Sequence, residues 1–298
     1  MYRIIQKRKY LFAFSLAVLV PGIIAISLWG LKVGIDFTGG TRFTLTFSGP
    51  RPSGPEAASL VAPQKVGQVI AQTAGAHDLV MQLPSVTNEQ RQRILSAVQA
   101  KYPSASEKSF ESIGPTVGKE LLRRAVTATV LVLAAIVFYV SWAFRKVNVG
   151  PVPAWVYGLA AVVALFHDIF VVVGIFSILG HFFGIEIDSL FVTALLTVLG
   201  FSVHDTIVVF DRIRERLLKG HESTFEETVN VSLNQTVVRS INTSLTTLLV
   251  LSALYLFGGV TIRNFILALL IGIASGTYSS IFVASPLLVV YERWKRRR

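Results

Sequence analysis

Two charged residues in apolar surroundings carry the strongest chemical signal in this sequence. Asp205 lies inside an apolar run that begins near Ser189, and Arg239 lies at the start of the next run. A carboxylate in the hydrocarbon core of a bilayer costs at least about 2.5–3.5 kcal/mol on insertion scales, so it indicates a function and a partner. Arg239 is the predicted partner. An acid and a base on adjacent membrane helices are the parts of a proton relay.

The depths of the two residues permit this pairing. Asp205 precedes Asp211, at the predicted end of its helix, by about 9 Å at 1.5 Å per residue. Arg239 lies only about one turn inside, but its long side chain can reach along the bundle. Making and breaking the pair could load and unload a proton, driven by about 2.3 kcal/mol per charge per 100 mV of membrane potential. The alternative is a structural salt bridge that ties two helices together.

Small polar residues surround this pair at helical spacing. Those that follow Arg239 are Asn242, Thr243, Thr246 and Thr247. We expect this stripe to face the interior of the helix bundle, where water and hydroxyl groups could conduct a proton. Ser202 lies one turn before Asp205, on the same predicted face.

A second polar pair, His167 and Asp168, lies in the middle of another apolar run. Adjacent residues on a helix point about 100° apart, so we expect the two side chains to face different neighbours. Asp168 is either a second proton-relay site or a fixed hydrogen-bonding element, and the sequence does not choose between the two. His204, beside Asp205, is expected to pack against a neighbouring helix.

The composition indicates a membrane protein. Hydrophobic residues make up 52% of the 298 residues, charged residues only 15%, and the formal net charge is +11. The basic residues flank apolar runs, which is a signal of membrane topology and argues against nucleic-acid binding.

The absence of cysteine excludes thiol catalysis, disulfides and cysteine-based metal sites. Gly114–Glu120 lacks the spacing of a phosphate-binding loop. We therefore expect no cofactor and no enzymatic activity.

Six apolar runs are long enough to span a bilayer. They cover residues 10–31, 123–144, 153–180, 189–211, 237–257 and 263–290. Basic connections place both termini, the 145–152 loop and the 212–236 loop in the cytoplasm. The predicted domains are the N-terminus with the first helix (1–31), an extracytoplasmic domain (32–122), and a five-helix bundle with a cytoplasmic tail (123–298). Gly272 and Gly276 predict a close helix contact in the last run.

The extracytoplasmic domain is expected to be a small α+β unit that corresponds to half of a ferredoxin-like domain. The predicted elements are a strand at 42–47, a loop at 48–63, a helix at 65–74, a strand at 78–83, a helix at 87–100 and a strand at 106–113. Thr87 and Gln90 form a capping-box pattern at the start of the second helix. The predicted fold class is a mainly α membrane protein with six transmembrane helices and one external α+β domain between the first two.

Five motifs resemble those of the SecF family. In order they are GIDFTGGT (34–41), GPTVGKEL (114–121), FHD (166–168), GFSVHDTIVVFDRIRE (200–215) and RSINTSLTTLL (239–249). SecF proteins are the smaller partners of SecD in bacterial protein export and belong to the resistance-nodulation-division (RND) superfamily. The resemblance covers nearly the whole chain and implies an RND-type bundle in the cytoplasmic (inner) membrane.

The resemblance also implies a function. It implies pairing with SecD, association with the SecYEG channel, and use of the proton-motive force to draw an unfolded preprotein outward after SecA has driven it in. By position, Asp205 and Arg239 match the acid and base of proton transport, and Thr243 and Thr247 fall on the polar part of the same motif. His204 stands where many relatives have Asn.

Two other functions fit the same pattern of residues. An RND-type exporter of a lipid or a small solute would also use an intramembrane charged pair, although one small external domain offers little wall for a solute channel. A non-transporting assembly factor would use the pair only to lock helices together. Loss of proton flux in Asp205→Asn with normal assembly would favour transport.

Overall fold

The computed structural model describes residues 2–144, 150–220 and 222–298, except for the side chain of Val260. Most of the predicted cytoplasmic loop at 145–152, including Arg145 and Lys146, lies outside the described residues. By residue contacts the chain divides into two compact units. One comprises Met1–Lys32 and Thr127–Arg298, and the other comprises Val33–Val126.

The helices and strands of the two units follow one another along the chain. The helices are α1 (Arg8–Trp29), α2 (Ile35–Thr38), α3 (Gly54–Val61), α4 (Asn88–Lys101), α5 (Pro115–Ala143), α6 (Ala154–Phe183), α7 (Ser189–Lys219), α8 (Phe225–Phe257), α9 (Arg263–Ser279) and α10 (Ser285–Arg296). The strands are β1 (Gly40–Phe47), β2 (Ile70–Ala74), β3 (Asp78–Leu83) and β4 (Ala105–Ile113).

Six helical segments of the described chain are long and apolar enough to cross a membrane. They are α1 with the turn before it, α5, α6, α7, α8, and α9 joined to α10. The predicted number of spans and the fold class are confirmed. The helices extend beyond the apolar runs, since α5 begins at Pro115 and α8 at Phe225. Hydropathy marks only the apolar part of a helix, whereas polar turns at its ends continue the same backbone hydrogen bonding.

Glycines bring the helices of the bundle into close contact. A Cβ added at Gly276 of α9 would meet the Cβ of Ser202 on α7 at 2.9 Å, and one added at Gly272 would overlap Val198. Such close backbone approach supplies packing that helices in lipid cannot obtain from the hydrophobic effect. The close contact predicted at Gly272 and Gly276 is confirmed, and it sets α7 firmly against α9.

The last span is one continuous helix with a change of hydrogen bonding inside it. α9 passes through a π-helical turn, Ser280–Ala284, into α10. The Ser285 hydroxyl donates to the Ser280 carbonyl oxygen at 3.1 Å, and the Ser280 hydroxyl donates to the Ser202 carbonyl oxygen of α7 at 3.2 Å. Single π turns inside α-helices are frequent at functional sites.

The second unit contains a complete ferredoxin-like arrangement. Its element order is β1-α3-β2-β3-α4-β4, and the sheet order is β2-β3-β1-β4 with neighbouring strands antiparallel. Alternate residues of β1 and β3 pack against α3 and α4, with Phe43, Met81 and Ile94 buried in the shared core. The capping box of Thr87 and Gln90 is confirmed at the start of α4.

Two elements of this unit differ from the sequence prediction. The predicted loop at 48–63 contains α3, which begins where the Ser53 hydroxyl accepts a hydrogen bond from the Glu56 N–H at 3.4 Å. The proline of α3 stands in its first turn, where proline is tolerated. The predicted helix at 65–74 is wrong, because Ile70–Ala74 is the strand β2 and pairs with β3. Gly67, at a φ of +84°, interrupts any helix there.

Candidate functional site

Asp205 lies on α7 and faces α8. It is only 6% exposed, and its Oδ2 atom has no hydrogen-bond partner among the described residues. Ser240 of α8 lies beside the carboxyl group and interacts with it, although no hydrogen bond of regular geometry joins its buried hydroxyl to a described residue. Burial of a charged carboxylate with an oxygen that no donor satisfies is costly, so this site does not resemble a satisfied structural salt bridge.

The structure does not bring Arg239 to Asp205. Arg239 is exposed on α8 and forms no ion pair with any described residue. It lines a surface pocket of about 360 Å³ together with Asp211, Arg212 and Gln235. Because its neighbour Ser240 faces α7, Arg239 points about 100° away from that direction. The predicted ion pair is therefore not formed in this arrangement.

The predicted inward stripe on α8 is wrong. The Thr243 hydroxyl donates to the Arg239 carbonyl at 3.0 Å, and those of Thr246 and Thr247 donate to the Thr243 carbonyl at 2.8 and 3.1 Å. Asn242, Thr243 and Thr246 are exposed and Thr247 is half-buried. An exposed polar face on a spanning helix needs water or another protein beside it. The buried polar residues of this part of α8 are Thr236, Ser240 and Ser244.

Asp168 is the centre of a hydrogen-bond cluster inside the bundle. Its Oδ2 accepts from the hydroxyls of Ser202 at 2.6 Å and Ser279 at 2.7 Å, and its Oδ1 accepts from Ser275 at 2.7 Å. The Nδ1 atom of His167 lies 3.1 Å from Oδ1. The carboxyl group is fully buried and joins α6, α7 and α9. Of the two alternatives drawn from the sequence, this geometry is that of a fixed hydrogen-bonding element.

The histidines differ from expectation. His167 and Asp168 were expected to face different neighbours, yet both face α9, because the His167 ring stacks on Tyr278 with the centroids 6.1 Å apart. The Nε2 atom of His167 is buried and has no hydrogen-bond partner among the described residues. His204 was expected to pack against a neighbouring helix, but it is exposed.

The cluster continues through further hydroxyls that the sequence analysis did not single out. Thr206 of α7 and Ser280 share a hydrogen bond of 2.8 Å, which ties the turn that carries Asp205 to the π turn. Ser275 and Ser279 stand four residues apart on an apolar helix, which places both on one face. Small polar residues at that spacing in a membrane helix are a signal of interhelical hydrogen bonding. That signal could have identified the partners of Asp168.

Comparison with known families identifies the chain. A family model described as protein export membrane protein SecD/SecF, C-terminal, matches residues 93–294, and one described as the SecD/SecF GG motif matches residues 30–50. The protein translocase subunit SecF of Thermobaculum terrenum is 46% identical, and the match covers 98% of this chain and 94% of that protein. The chain belongs to the SecF family. SecF of Anaerolinea thermophila is 40% identical over 98% of this SecF chain and 94% of its own length.

A solved structure agrees with the fold. The crystal structure of SecDF, a translocon-associated membrane protein from Thermus thermophilus, matches with a TM-score of 0.85 and 34% identity over 98% of this SecF chain. SecDF in a super-membrane-facing form matches with a TM-score of 0.70. This chain spans 39% of the SecDF chain in the first of these structures. It is a multi-pass membrane protein of protein export, and the resemblance carried by its motifs is confirmed.

Proposed function

We propose that this SecF chain couples proton movement to preprotein export and that Asp205 is the group that binds the proton. The observation that supports the proposal is the burial of Asp205 with a carboxyl oxygen that no described residue satisfies. A carboxylate in that condition is costly to keep charged, so a bound proton stabilises it. Release of the proton then requires a compensating cation nearby.

Arg239 is the proposed cation. It lies on α8 directly before Ser240, so its side chain is one residue away from the position that faces Asp205. A rotation of α8 by about 100°, or a swing of the long Arg239 side chain, would exchange the hydroxyl for the guanidinium group. The pair would form when Asp205 loses its proton and break when a proton returns. Thr243 and Thr247, on successive turns of the same face, would hold water on the proton route.

Asp168 is proposed to hold α7 in position and not to carry the proton. Three hydroxyls and an imidazole nitrogen already surround its carboxyl group. A proton on either oxygen would displace one of these contacts, so a serine hydroxyl would have to turn and accept a hydrogen bond or stay unsatisfied at a cost of about 1–3 kcal/mol. No comparable contact supports the alternative drawn from the sequence, in which Asp168 is a second proton-relay site.

A SecD-type protein is the proposed partner. The Thermus thermophilus relative is a SecDF protein, 38% identical, of which this chain covers only 37%. The exposed polar face of α8 suits a second helix bundle beside it in the membrane. The family implies the SecYEG channel, SecA and an unfolded preprotein as further participants. The basic connections suggest cytoplasmic termini and an external domain on the opposite side of the bacterial inner membrane.

The test is proton uptake by vesicles that hold this chain, its SecD-type partner, the channel and an unfolded preprotein. The variants are Asp205→Asn and Arg239→Met. Asp211→Asn is the matched control, because Asp211 lies on the same helix but is exposed and pairs with Arg214 at 3.3 Å. We expect both variants to assemble with the partner and to lose proton uptake and proton-driven release of the preprotein, while the control keeps them.

Each other outcome contradicts the proposal. Retention of proton-driven release in both variants would place the proton route elsewhere. Loss of assembly in Asp205→Asn would mean that the carboxyl group locks helices together, as in a non-transporting assembly factor.

A further inference from the structure

A groove runs along the outer surface of the bundle between α6 and α10. It has a volume of about 280 Å³ and almost entirely apolar walls, formed by Val156, Leu159 and Val163 of α6 and by Val290, Tyr291 and Trp294 of α10. The volume lies just below the range of about 300–1,000 Å³ that small-molecule pockets cover, so the groove suits part of a chain-like ligand. Its position on two apolar spanning helices points to the hydrocarbon tail of a lipid.

Aromatic side chains mark one end of this groove. The rings of Trp155 and Tyr291 meet edge to face with centroids 5.6 Å apart, and Tyr291 and Trp294 are 6.0 Å apart. Trp155 and Trp294 are about half exposed, at 57% and 49%. Trp and Tyr concentrate at the level of the lipid headgroups, where the ring is in apolar surroundings and the N–H or O–H is wet. This end of the groove is therefore the headgroup end.

Basic residues gather beyond the aromatic end. The Arg298 guanidinium lies 4.1 Å over the Trp294 ring, and the Lys295 Nζ lies 3.5 Å from the carbonyl oxygen of Pro151, which precedes α6. Arg297 is exposed beside them. None of these three cations pairs with a carboxylate of the described chain.

Two of the acidic residues near the end of α10 are paired with other cations, and a third, Glu227, lines a separate pocket with Arg293 and Arg296. Glu292 pairs with Arg296, and Glu226 of α8 pairs with Arg293. The headgroup end of the groove is therefore left with three positive charges that no described side chain balances. A zwitterionic headgroup fits the shape of the groove but does not neutralise this charge.

We propose that the groove between α6 and α10 binds an anionic phospholipid. One acyl chain lies against the apolar walls, the aromatic rings sit at the ester level, and Lys295, Arg297 and Arg298 hold the phosphate. Charge complementarity selects the anionic headgroup, since clustered basic residues next to a spanning helix attract acidic lipids. The proposal does not depend on the role of Asp205.

The test is tryptophan quenching in nanodiscs that hold the full chain with its SecD-type partner. Trp29→Phe and Trp142→Phe leave Trp155 and Trp294 as the reporters in this chain, and difference spectra against Trp155→Phe and Trp294→Phe remove the partner's signal. Acyl-brominated phosphatidylglycerol is titrated against acyl-brominated phosphatidylcholine. We expect half-maximal quenching at a mole fraction of the anionic lipid that is lower by about tenfold or more, since each of the three basic groups contributes severalfold.

Two variants separate the site from a general basic surface. The triple variant Lys295→Gln, Arg297→Gln, Arg298→Gln should lose the preference for the anionic lipid. The matched control Arg3→Gln, Lys7→Gln, Lys9→Gln removes the same charge from the N-terminus and should keep it. Val163→Phe narrows the groove and should raise the half-maximal mole fraction of both lipids.

Three results would overturn the proposal. Equal quenching by the two lipids in the parent protein would mean ordinary contact with the bilayer. An equal loss of preference in the control variant would mean that the basic surface as a whole attracts the lipid. Absence of quenching by either lipid would mean that the partner or a second copy covers the groove.

Discussion

Asp168 and Asp205 are two buried carboxyl groups on neighbouring helices with opposite surroundings. Asp168 is fully buried and its oxygens contact three serine hydroxyls and one imidazole nitrogen. Asp205 is 6% exposed, and its Oδ2 accepts nothing from the described residues. Burial alone does not distinguish the two carboxyl groups. The number of hydrogen-bond donors around each group does. On the roles proposed above, the satisfied carboxyl group of Asp168 fixes helices and the unsatisfied one of Asp205 exchanges a proton.

The largest expected effect is a difference in unfolding free energy between alanine variants of the two aspartates. Asp168→Ala removes an acceptor shared by several interhelical hydrogen bonds, each worth about 0.6 and at most about 1.7 kcal/mol in membrane proteins, so the loss should be about 2–4 kcal/mol. Asp205→Ala should leave the unfolding free energy unchanged or raise it, because it removes an unpaired buried group. Unfolding in detergent, followed by circular dichroism, measures both. Similar losses in the two variants would remove the distinction.

The second prediction concerns the contact that brings Ser202 to Asp168. Gly276→Ala would place a methyl group 2.9 Å from the Ser202 Cβ and push α7 away from α9, at a cost of about 1–3 kcal/mol. Gly200→Ala is the matched control on α7, since nothing described lies within 4 Å of an added Cβ there. The same unfolding measurement applies. An unaffected Gly276→Ala variant would show that the two helices can separate without strain.

Two serines offer a finer comparison. Ser279→Ala removes a 2.7 Å hydrogen bond to Asp168 and should cost about 0.6–1.7 kcal/mol. Ser240→Ala removes a buried hydroxyl that makes no hydrogen bond of regular geometry in the described chain, so it should cost less stability than Ser279→Ala. If Ser240→Ala proves the more damaging, Ser240 binds a group that this arrangement does not contain.

The smallest effect is expected for a carboxylate outside the bundle that has a cation beside it. A hydrogen bond from Lys108 is the largest cause that lowers the pKa of Asp78. A lowered folded-state pKa stabilises the unit fully above the unfolded pKa of about 3.9, and this stability is lost as the pH falls through the folded pKa. Since the Lys108 side chain is about half exposed, the contribution should be about 0.2–1 kcal/mol.

Hydrogen exchange of the β3 amides in the full chain can follow this effect as the pH is lowered from about 5. In Asp78→Asn the protection of the β3 amides should depend less on pH below about pH 3.9. Arg93→Gln, which removes an exposed cation that pairs with no described carboxylate, is the control for a general change of charge and should keep the slope attributed to Asp78. An unchanged slope in Asp78→Asn would show that the pair with Lys108 contributes nothing.

The sequence was sufficient for the features that depend on strong local signals. The six spans follow from long apolar runs, the α7–α9 contact from Gly272 and Gly276, and the start of α4 from Thr87 and Gln90. Each of these signals is read from residues close together in the chain. The domain boundaries and the roles of the site residues remain predictions.

The inward face of α8 could not be read in the same way. Hydroxyl residues occur all round this helix, so Ser240 and Ser244 compete with Thr243 and Thr247 as the polar stripe, and periodicity does not decide between them. Packing against α7 and α9 decides, because the smaller serines permit the close approach. The wrong helix prediction at 65–74 has a similar cause. Pairing of β2 with β3 overrides the short helical pattern of the sequence there.

The π turn at Ser280–Ala284 determines where the last span can lose one residue. A π turn holds one more residue than the α-helical turn it replaces, so the helix on either side keeps its phase. Deletion of Phe282 would let this turn become α-helical while Ser279 still faces Asp168 and Tyr291 of α10 still lies beside Trp155 of α6. Deletion of Thr277 would instead rotate everything after it by about 100° and separate Ser275 from Ser279. The last span should therefore tolerate the loss of one residue at this turn and at few other positions.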